Sequence, residues 1–487
     1  MVRHLVAFTT FLLALTLLQA DCTAKAPANN PNQTLPNVVV ILADDLGWAD
    51  VSYHGGYIKT PQIDKLAKEG VELDRFYVCP MCSPTRAGLM TGRYPIRFGL
   101  ARAVIPPWRD FGLDTAEVTL ADVMGQAGYK HRGMFGKWHL GHSQRKWHPN
   151  ERGFTEFLGH YNGAIDYFDL TREGERDWHH NYQPSDQTGY STNLIAAGAA
   201  EFIRRSAKDG PFFCYVPFNA PHSPFQAPQK YLDQYKHLAP KSSGKKKKGN
   251  KSIKQTLAAM VTCMDDGIGQ VLTAIDDAGV RDNTIVWFFS DNGGIKSVKE
   301  NNLPLRGDKL SVFEGGVRVP ACIRWPAGIK GGRKVTAPMA NIDVLPTLMS
   351  IAGKNQHGGK PLDGLNVLPN ITGETNQLDR DLFFYHGQSG NQSELYALTT
   401  PQWKLVVLGP NIIESDFKSD KHQRMLFAIH KDPFEKNNLA DQHPDVVSQL
   451  GKRLVEFRKL QPQNSVPAYG GGRGDFKAPK AWKIPAQ

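Results

Sequence analysis

Six cysteines in 487 residues are too few for a disulfide scaffold, and a chain this long does not need one to hold a core. Beyond residue 18 no apolar stretch is long enough to cross a bilayer. There is no internal repeat and no recognisable nucleic-acid-reading motif, so no nucleic-acid partner is expected. Acidic residues are in the minority, 47 against 58 Lys and Arg, which leaves a formal net charge of +11. Such a field attracts anionic partners (nucleic acid, acidic membrane or acidic polysaccharide) without choosing among them. With 40% hydrophobic and 22% charged residues, the composition suits a globular protein with a sizeable core.

What is present begins with a leader. Arg3 and His4 precede an apolar run, Leu5–Leu18, and Ala24-Lys25-Ala26 offers a small-x-small cleavage site. Residues 1–26 therefore read as a signal peptide, and the protein as exported: periplasmic, extracellular or, in a eukaryote, lysosomal. The alternative is an uncleaved anchor. Cys22 is a candidate lipid attachment site, although Asp21 is a poor neighbour for it. Cleavage leaves Cys79, Cys82, Cys214, Cys263 and Cys322, an odd set, so at least one lacks an intramolecular partner.

From Asn37 to about Ala352 hydrophobic runs alternate with helical patterns. The runs are Asn37–Ala43, Lys130–Phe135, Pro211–Phe218 and Thr284–Ser290; the helical stretches are Gln62–Glu69, Thr119–Ala127, Thr192–Ala207 and Ile253–Asp277. This predicts an α/β fold with a mostly parallel sheet sandwiched by helices. Each run ends in polar groups: Asp44-Asp45, Lys137 with His139, His222, and Asp291-Asn292. In an open α/β sheet the ligand site lies beyond the carboxyl ends of the strands, so these side chains are candidates for one crevice. The divisions expected are a catalytic domain over 36–375, a C-terminal α+β subdomain over 379–462 and an extended tail over 463–487. In the subdomain, Leu395–Leu408 and Met425–His430 read as strands and Pro444–Leu460 as a helix. The lysine-rich insert 241–254 reads as a solvated loop or as a contact for a polyanion. Four N-x-S/T sequons occur, at Asn32, Asn250, Asn370 and Asn391.

The stretch Cys79–Arg93, CPMCSPTRAGLMTGR, carries the chemistry. Pro84 suits a first helical turn and Thr85–Thr91 can be helical, which puts Cys82 at or just before a helix N-terminus. Free backbone N–H groups favour an anion there, and Arg86 follows one turn later on the same side. Cys79 and Cys82 also have the spacing of a redox dithiol or half a zinc site, but no second pair stands nearby. Asp44, Asp45, Asp291 and Asn292 offer only hard oxygens, the donors of Ca²⁺ or Mg²⁺ rather than zinc.

Cys82-Ser83-Pro84-Thr85-Arg86 resembles the C-x-P-x-R signature of type I sulfatases, with Thr85 where the family usually has serine or alanine. Further fragments, in family order, are ADDLG (43–47), GKWHLG (136–141), PHSP (221–224), SDNGG (290–294), NNLPLRGDK (301–309), FEGGVRVP (313–320) and KDP (431–433) with NLA (438–440). GKWHLG, the NN-x-PLRG-x-K-x-S run (301–311) and EGGVR (314–318), with YSTN (190–193), are most similar to the N-acetylgalactosamine-4-sulfatase (arylsulfatase B-like) group. The resemblance implies an alkaline-phosphatase-like fold with an antiparallel sheet and a helix in its C-terminal part. It implies one Ca²⁺, bound by Asp44, Asp45, Asp291, Asn292 and the side chain at Cys82. Cys82 would be oxidised to formylglycine (3-oxoalanine) by a separate generating enzyme. The implied roles are Asp291 as base, His222 or Lys309 as acid, His139 as acceptor of the second proton, and Arg86, Lys137 and Lys309 as cations at the sulfuryl group.

The implied substrate is a sulfated glycan, with the aromatic-rich residues 148–189 as candidate recognition loops. Two other readings stay open: a phosphodiester or phosphonate monoester hydrolase on the same fold, and a non-catalytic glycan-binding protein. Oligomeric state is not legible.

Overall fold

The computed structural model describes residues 35–239, 252–415, 417 and 419–485. The leader, Cys22, Asn32, Asn250 and residues 241–251 of the lysine-rich insert lie outside the described residues.

The strand Asn37–Ala43 is central, and all seven of its residues are buried. Because successive side chains point to opposite faces, it must be apolar throughout. Val39, Ile41 and Ala43 pack among side chains of the helices Pro61–Glu69, Ser191–Ser206 and Ile253–Asp277. Val38, Val40 and Leu42 pack on the other face with Cys82–Thr91, Leu120–Gln126 and Val344–Ile351. The result is three layers, helix, sheet and helix.

Ten strands form the sheet. In spatial order they are Arg333–Val335, Val71–Leu73, Ala321–Arg324, Thr284–Ser290, Asn37–Ala43, Phe212–Pro217, His131–Lys137, Glu156–His160, His179–His180 and Gln183–Pro184. The five from Thr284–Ser290 to Glu156–His160 are mutually parallel. Ala321–Arg324 on one flank and His179–His180 on the other are antiparallel to them. Ala43 pairs with Ser290 and Leu42 with Pro217, so these strands end side by side.

A second, four-stranded antiparallel sheet is built from Leu382–His386, Glu394–Thr399, Lys404–Gly409 and Gln423–Phe427. The single strand expected over 395–408 is two strands of a hairpin, and Leu382–His386 is an additional strand. One face holds the helix Pro444–Lys459 through Leu450, Leu454 and Phe457; the other packs on Tyr77, Val317 and Ile342. Buried Lys404 fixes the junction, 2.8 Å from Glu314 and 2.9 Å from Glu435. Among the described residues beyond 462 the chain turns at Lys480–Trp482, where Ala481 and Trp482 take left-handed backbone (φ 50° and 46°) and Trp482 is buried in the main core.

The five described cysteines are all free thiols. Among the described residues no helix is long and apolar enough to cross a membrane. Asn370 is buried, its amide donating to the carbonyls of Thr375 and Gln377, so the folded chain does not present that sequon.

Candidate functional site

The site forms where the sheet's central strands end. The ladder runs one residue further, Asp291 N–H donating to Ala43 O at 2.9 Å, before the chain turns. Asp45 then adopts a left-handed backbone (φ 69°) and donates its N–H to Asp291 Oδ1 at 3.2 Å. Ser290 Oγ accepts from Leu46 N–H at 3.0 Å. Asp44, Asp45, Asp291 and Asn292 are thereby brought together, each nearly or wholly buried.

Cys82 is the first residue of the helix Cys82–Thr91, three residues earlier than the helical stretch the sequence predicts. Extended Met81 precedes it, and its side chain makes no capping hydrogen bond to the free N–H groups. All ten residues of the helix are buried, which places Cys82 at the bottom of a cleft. One turn on, Arg86 donates from Nε (3.1 Å) and Nη2 (2.8 Å) to Asp291 Oδ2, and from Nη1 to Lys137 O (2.8 Å).

Lys137 ends its strand with Nζ 2.6 Å from Asp44 Oδ2. If the chain stayed extended, His139 would share its face. The strand stops instead, and His139 sits in a left-handed turn (φ 58°) held by its N–H to Tyr161 O at 3.0 Å. The turn carries the imidazole to Cys82, with Nδ1 3.3 Å from Sγ. Nε2 lies 3.0 Å from the carbonyl of Ile105, so it carries the hydrogen and Nδ1 is the acceptor. Burial, with Lys137 and Arg86 nearby, holds this histidine neutral, well below its ordinary pKa.

Lys309 Nζ lies 2.6 and 2.8 Å from the two oxygens of Asp45. Burial opposes its charge, but Asp45, Cys82 and Asp44 together outweigh burial and raise its pKa above the ordinary lysine value. Asp45 in turn is held well below the usual carboxylate range: burial pushes the other way, but Lys309 and His222 prevail. His222 Nδ1 donates to Ser223 O at 2.6 Å, and its Nε2 is 3.8 Å from Asp45 Oδ2. Burial, reinforced by Lys309, pushes it down to about 3. Asp291 is pushed up to about 6 by burial and by Asp44, against the pull of Arg86.

Three carboxylates thus meet three cations, yet two oxygens are left over. Asp44 Oδ1 and Asn292 Oδ1 are buried without a hydrogen-bond partner among the described residues, although Asn292 Nδ2 is bonded to Asp45 Oδ1 at 2.8 Å. Unpaired buried oxygens are costly, and their sharing one site is what a cation-binding cage looks like. Ligand atoms of Asp44, Cys82 and Asp291 lie within 4.8 Å of one another, as do those of Asp44, Asp45 and His222.

The cleft above Cys82 has a volume of about 550 Å³. His139, His222 and Lys309 flank its base; Ile105–Pro107, Gly163–Asp166, Thr171–Glu173, Gln388 and Tyr469 form its walls. Of the aromatic-rich loops expected over 148–189, only 163–173 reach this cleft. His148, Tyr161 and Tyr182 line a separate hollow with Arg145. Gln388 and Tyr469 carry no local signal in the sequence; only tertiary folding brings them here.

The sulfatase family model matches residues 36–354, and a model described as N-sulphoglucosamine sulphohydrolase, C-terminal, matches 307–460. Arylsulfatase J of Mus musculus is 30% identical over 489 residues, covering 91% of this chain and 79% of its own. N-acetylgalactosamine-6-sulfatase of Homo sapiens is 33% identical over 379 residues, covering 73% and 69%. Among solved structures, Ps i-CgsB in complex with k-i-k-neocarrahexaose superposes with a TM-score of 0.78 at 29% identity, covering 89% of this chain and 95% of that one. The matched span holds every residue singled out above from Asp44 to Lys309, and on these grounds the chain belongs to the sulfatase family and is a sulfuric ester hydrolase.

Proposed function

We propose that the chain removes sulfate from a sulfated glycan, using a formylglycine made from Cys82 and one Ca²⁺. The observation that carries this reading is Cys82 at an uncapped helix N-terminus, opposite acidic groups with unpartnered oxygens. Relatives named for N-acetylgalactosamine 6-sulfate and a neighbour bound to a neocarrahexaose support the glycan.

The donor set fits a hard divalent cation. Asp44, Asp45, Asp291 and Asn292 would hold it with oxygen ligands, together with the side chain at position 82. Bound there, Ca²⁺ would supply Lewis-acid stabilisation of charge on the sulfuryl oxygens. Sγ of Cys82 stands in for the oxygens of a hydrated aldehyde, which would supply one hydroxyl to attack sulfur and a second whose ionisation expels sulfate.

The remaining work belongs to the chain's own side chains. Arg86 fixes the Asp291 carboxylate through two hydrogen bonds on one oxygen, and Asp291 accepts the proton of the attacking hydroxyl. Lys309 enters charged and stands beside the cleft base. His222 is neutral with its Nδ1 hydrogen committed to Ser223 O, so the proton for the departing alcohol comes first from Lys309. Nδ1 of His139, the unprotonated nitrogen facing position 82, accepts the second hydroxyl's proton. Lys137 offsets the charge of Asp44 and, with Lys309, acts electrostatically on position 82. Export behind residues 1–26 and maturation by a formylglycine-generating enzyme complete the reading.

The test is peptide mass spectrometry across residue 82, which should find aldehyde in place of thiol, paired with sulfate release from N-acetylgalactosamine 4- and 6-sulfate. Faster turnover of phosphate diesters or phosphonate esters than of any sulfate ester would replace it with the phosphoester reading. Unchanged function in Cys82→Ala would leave a glycan-binding protein.

A further inference from the structure

The strand ends explain the bottom of the cleft but not its walls. One wall comes from a segment beyond both family matches, which stop at residue 460. Val466 N–H donates to Gly99 O (2.8 Å) and Tyr469 N–H to Gln388 O (3.0 Å). Gly471 O accepts from Trp108 Nε1 at 3.1 Å. Trp108 meets Tyr469 edge to face, ring centroids 5.3 Å apart, and the Arg473 guanidinium lies over Trp108 at 5.3 Å. Arg473 also reaches Glu173, a residue of the cleft wall, at 3.5 Å. Trp482 Nε1 donates to Arg172 O (2.9 Å), and Ala481 N–H to Glu175 (2.9 Å). The C-terminal segment is thus a strap, held at Arg172 by Trp482 and at Gln388 by Tyr469, both partners being residues of the cleft wall.

Two residues on this side line the cleft, Tyr469 and Gln388. The Tyr469 ring is half-buried, with Trp108 against it. Gln388 Oε1 is buried and receives no hydrogen bond from the described residues. A flat ring beside a lone acceptor suits a sugar, whose C–H face stacks on the ring while a hydroxyl or amide N–H donates to the oxygen. A small planar aryl ester needs neither.

We infer that Tyr469 and Gln388 form the sugar-selecting subsite of this sulfatase, and that the strap over residues 466–482 builds it. The inference rests on the glycan reading above. It makes substrate choice depend in part, through Tyr469, on a segment the family models do not cover, separate from the sulfate-cleaving base.

The experiment compares kcat/KM for a small aryl sulfate, 4-nitrophenyl sulfate, with that for N-acetylgalactosamine 4- and 6-sulfate and sulfated neocarrahexaose. Tyr469→Ala and Gln388→Leu are measured separately on the calcium-loaded, full-length enzyme. The expected result is a fall of at least about tenfold in the glycan-to-aryl ratio for each variant. A ratio within about twofold of wild type for both variants overturns the inference, whether the two rates hold or drop together. A wild-type enzyme that cleaves the aryl sulfate but none of the glycans overturns the glycan reading itself, and the subsite with it.

Discussion

Arg86 holds Asp291 by one oxygen and leaves the other to the backbone of Asp45. Nε and Nη2 both meet Oδ2, while Oδ1 accepts the Asp45 N–H. Both side chains are fully enclosed. The carboxylate proposed as a metal ligand is thus aimed by a cation on one side and by the turn after the first strand on the other.

Removing Arg86 leaves two buried carboxylates, Asp291 and Asp44, short of a cation. Arg86→Ala should lower stability by about 3–5 kcal/mol. Urea unfolding of the purified variant checks this. A loss under about 1 kcal/mol would mean that the pair is not the anchor described.

Gly163 stands against His139. A Cβ there would lie 2.4 Å from the ring's Cε1 and 2.5 Å from Nε2. Gly163→Ala should therefore displace the imidazole from Cys82. The expected outcome is a kcat at least about tenfold lower with little change in melting temperature. His139→Ala should cost about 10²–10⁴ in kcat, and a Gly163→Ala enzyme with wild-type kcat would sever the link between them.

Chelation should act on both stability and activity. If Asp44 Oδ1 and Asn292 Oδ1 face a cation, its removal with EGTA lowers the melting temperature and abolishes sulfate release, and added Ca²⁺ restores both. Asp44→Asn should weaken calcium binding in a titration by calorimetry. Unaltered melting and activity after exhaustive chelation would refute the metal assignment.

Asp50 provides a pH dependence away from the cleft. It is fully buried, and burial pushes its carboxyl up to about 7, against the hydrogen bond from Gly47 N–H. Between its ordinary pKa of 3.8 and about 7 the folded state binds the proton and the unfolded state does not. Stability therefore falls as pH rises through that window. Asp50→Asn, which cannot ionise, should flatten this part of the profile in denaturant titrations at pH 4, 5, 6 and 7; a slope as steep as wild type would count against it.

Much of the architecture was legible because buried parallel strands are written as uninterrupted apolar runs. Thr284–Ser290 and Ile253–Asp277 match their expected limits residue for residue, and polar residues closing four runs pointed to one crevice. Other parts left no such trace. The turn between Thr399 and Lys404 is short and lacks a glycine, so the sequence read as one strand across it. His139 reaches Cys82 through a left-handed turn rather than by alternation along a strand. Gln388 and Tyr469 matter because of contacts made by segments hundreds of residues from Cys82, which no local pattern encodes.

The helix that begins at Cys82 shows no side chain to solvent along its entire length, and the cysteine itself is 2% exposed. A catalyst large enough to grip the backbone around that residue would find it covered on the finished molecule, with only the cleft leading to its side chain. If Cys82 is converted by a separate enzyme, as proposed above, that handling belongs to the chain before it folds, and the order is chemistry at this position first, closure of the layers second.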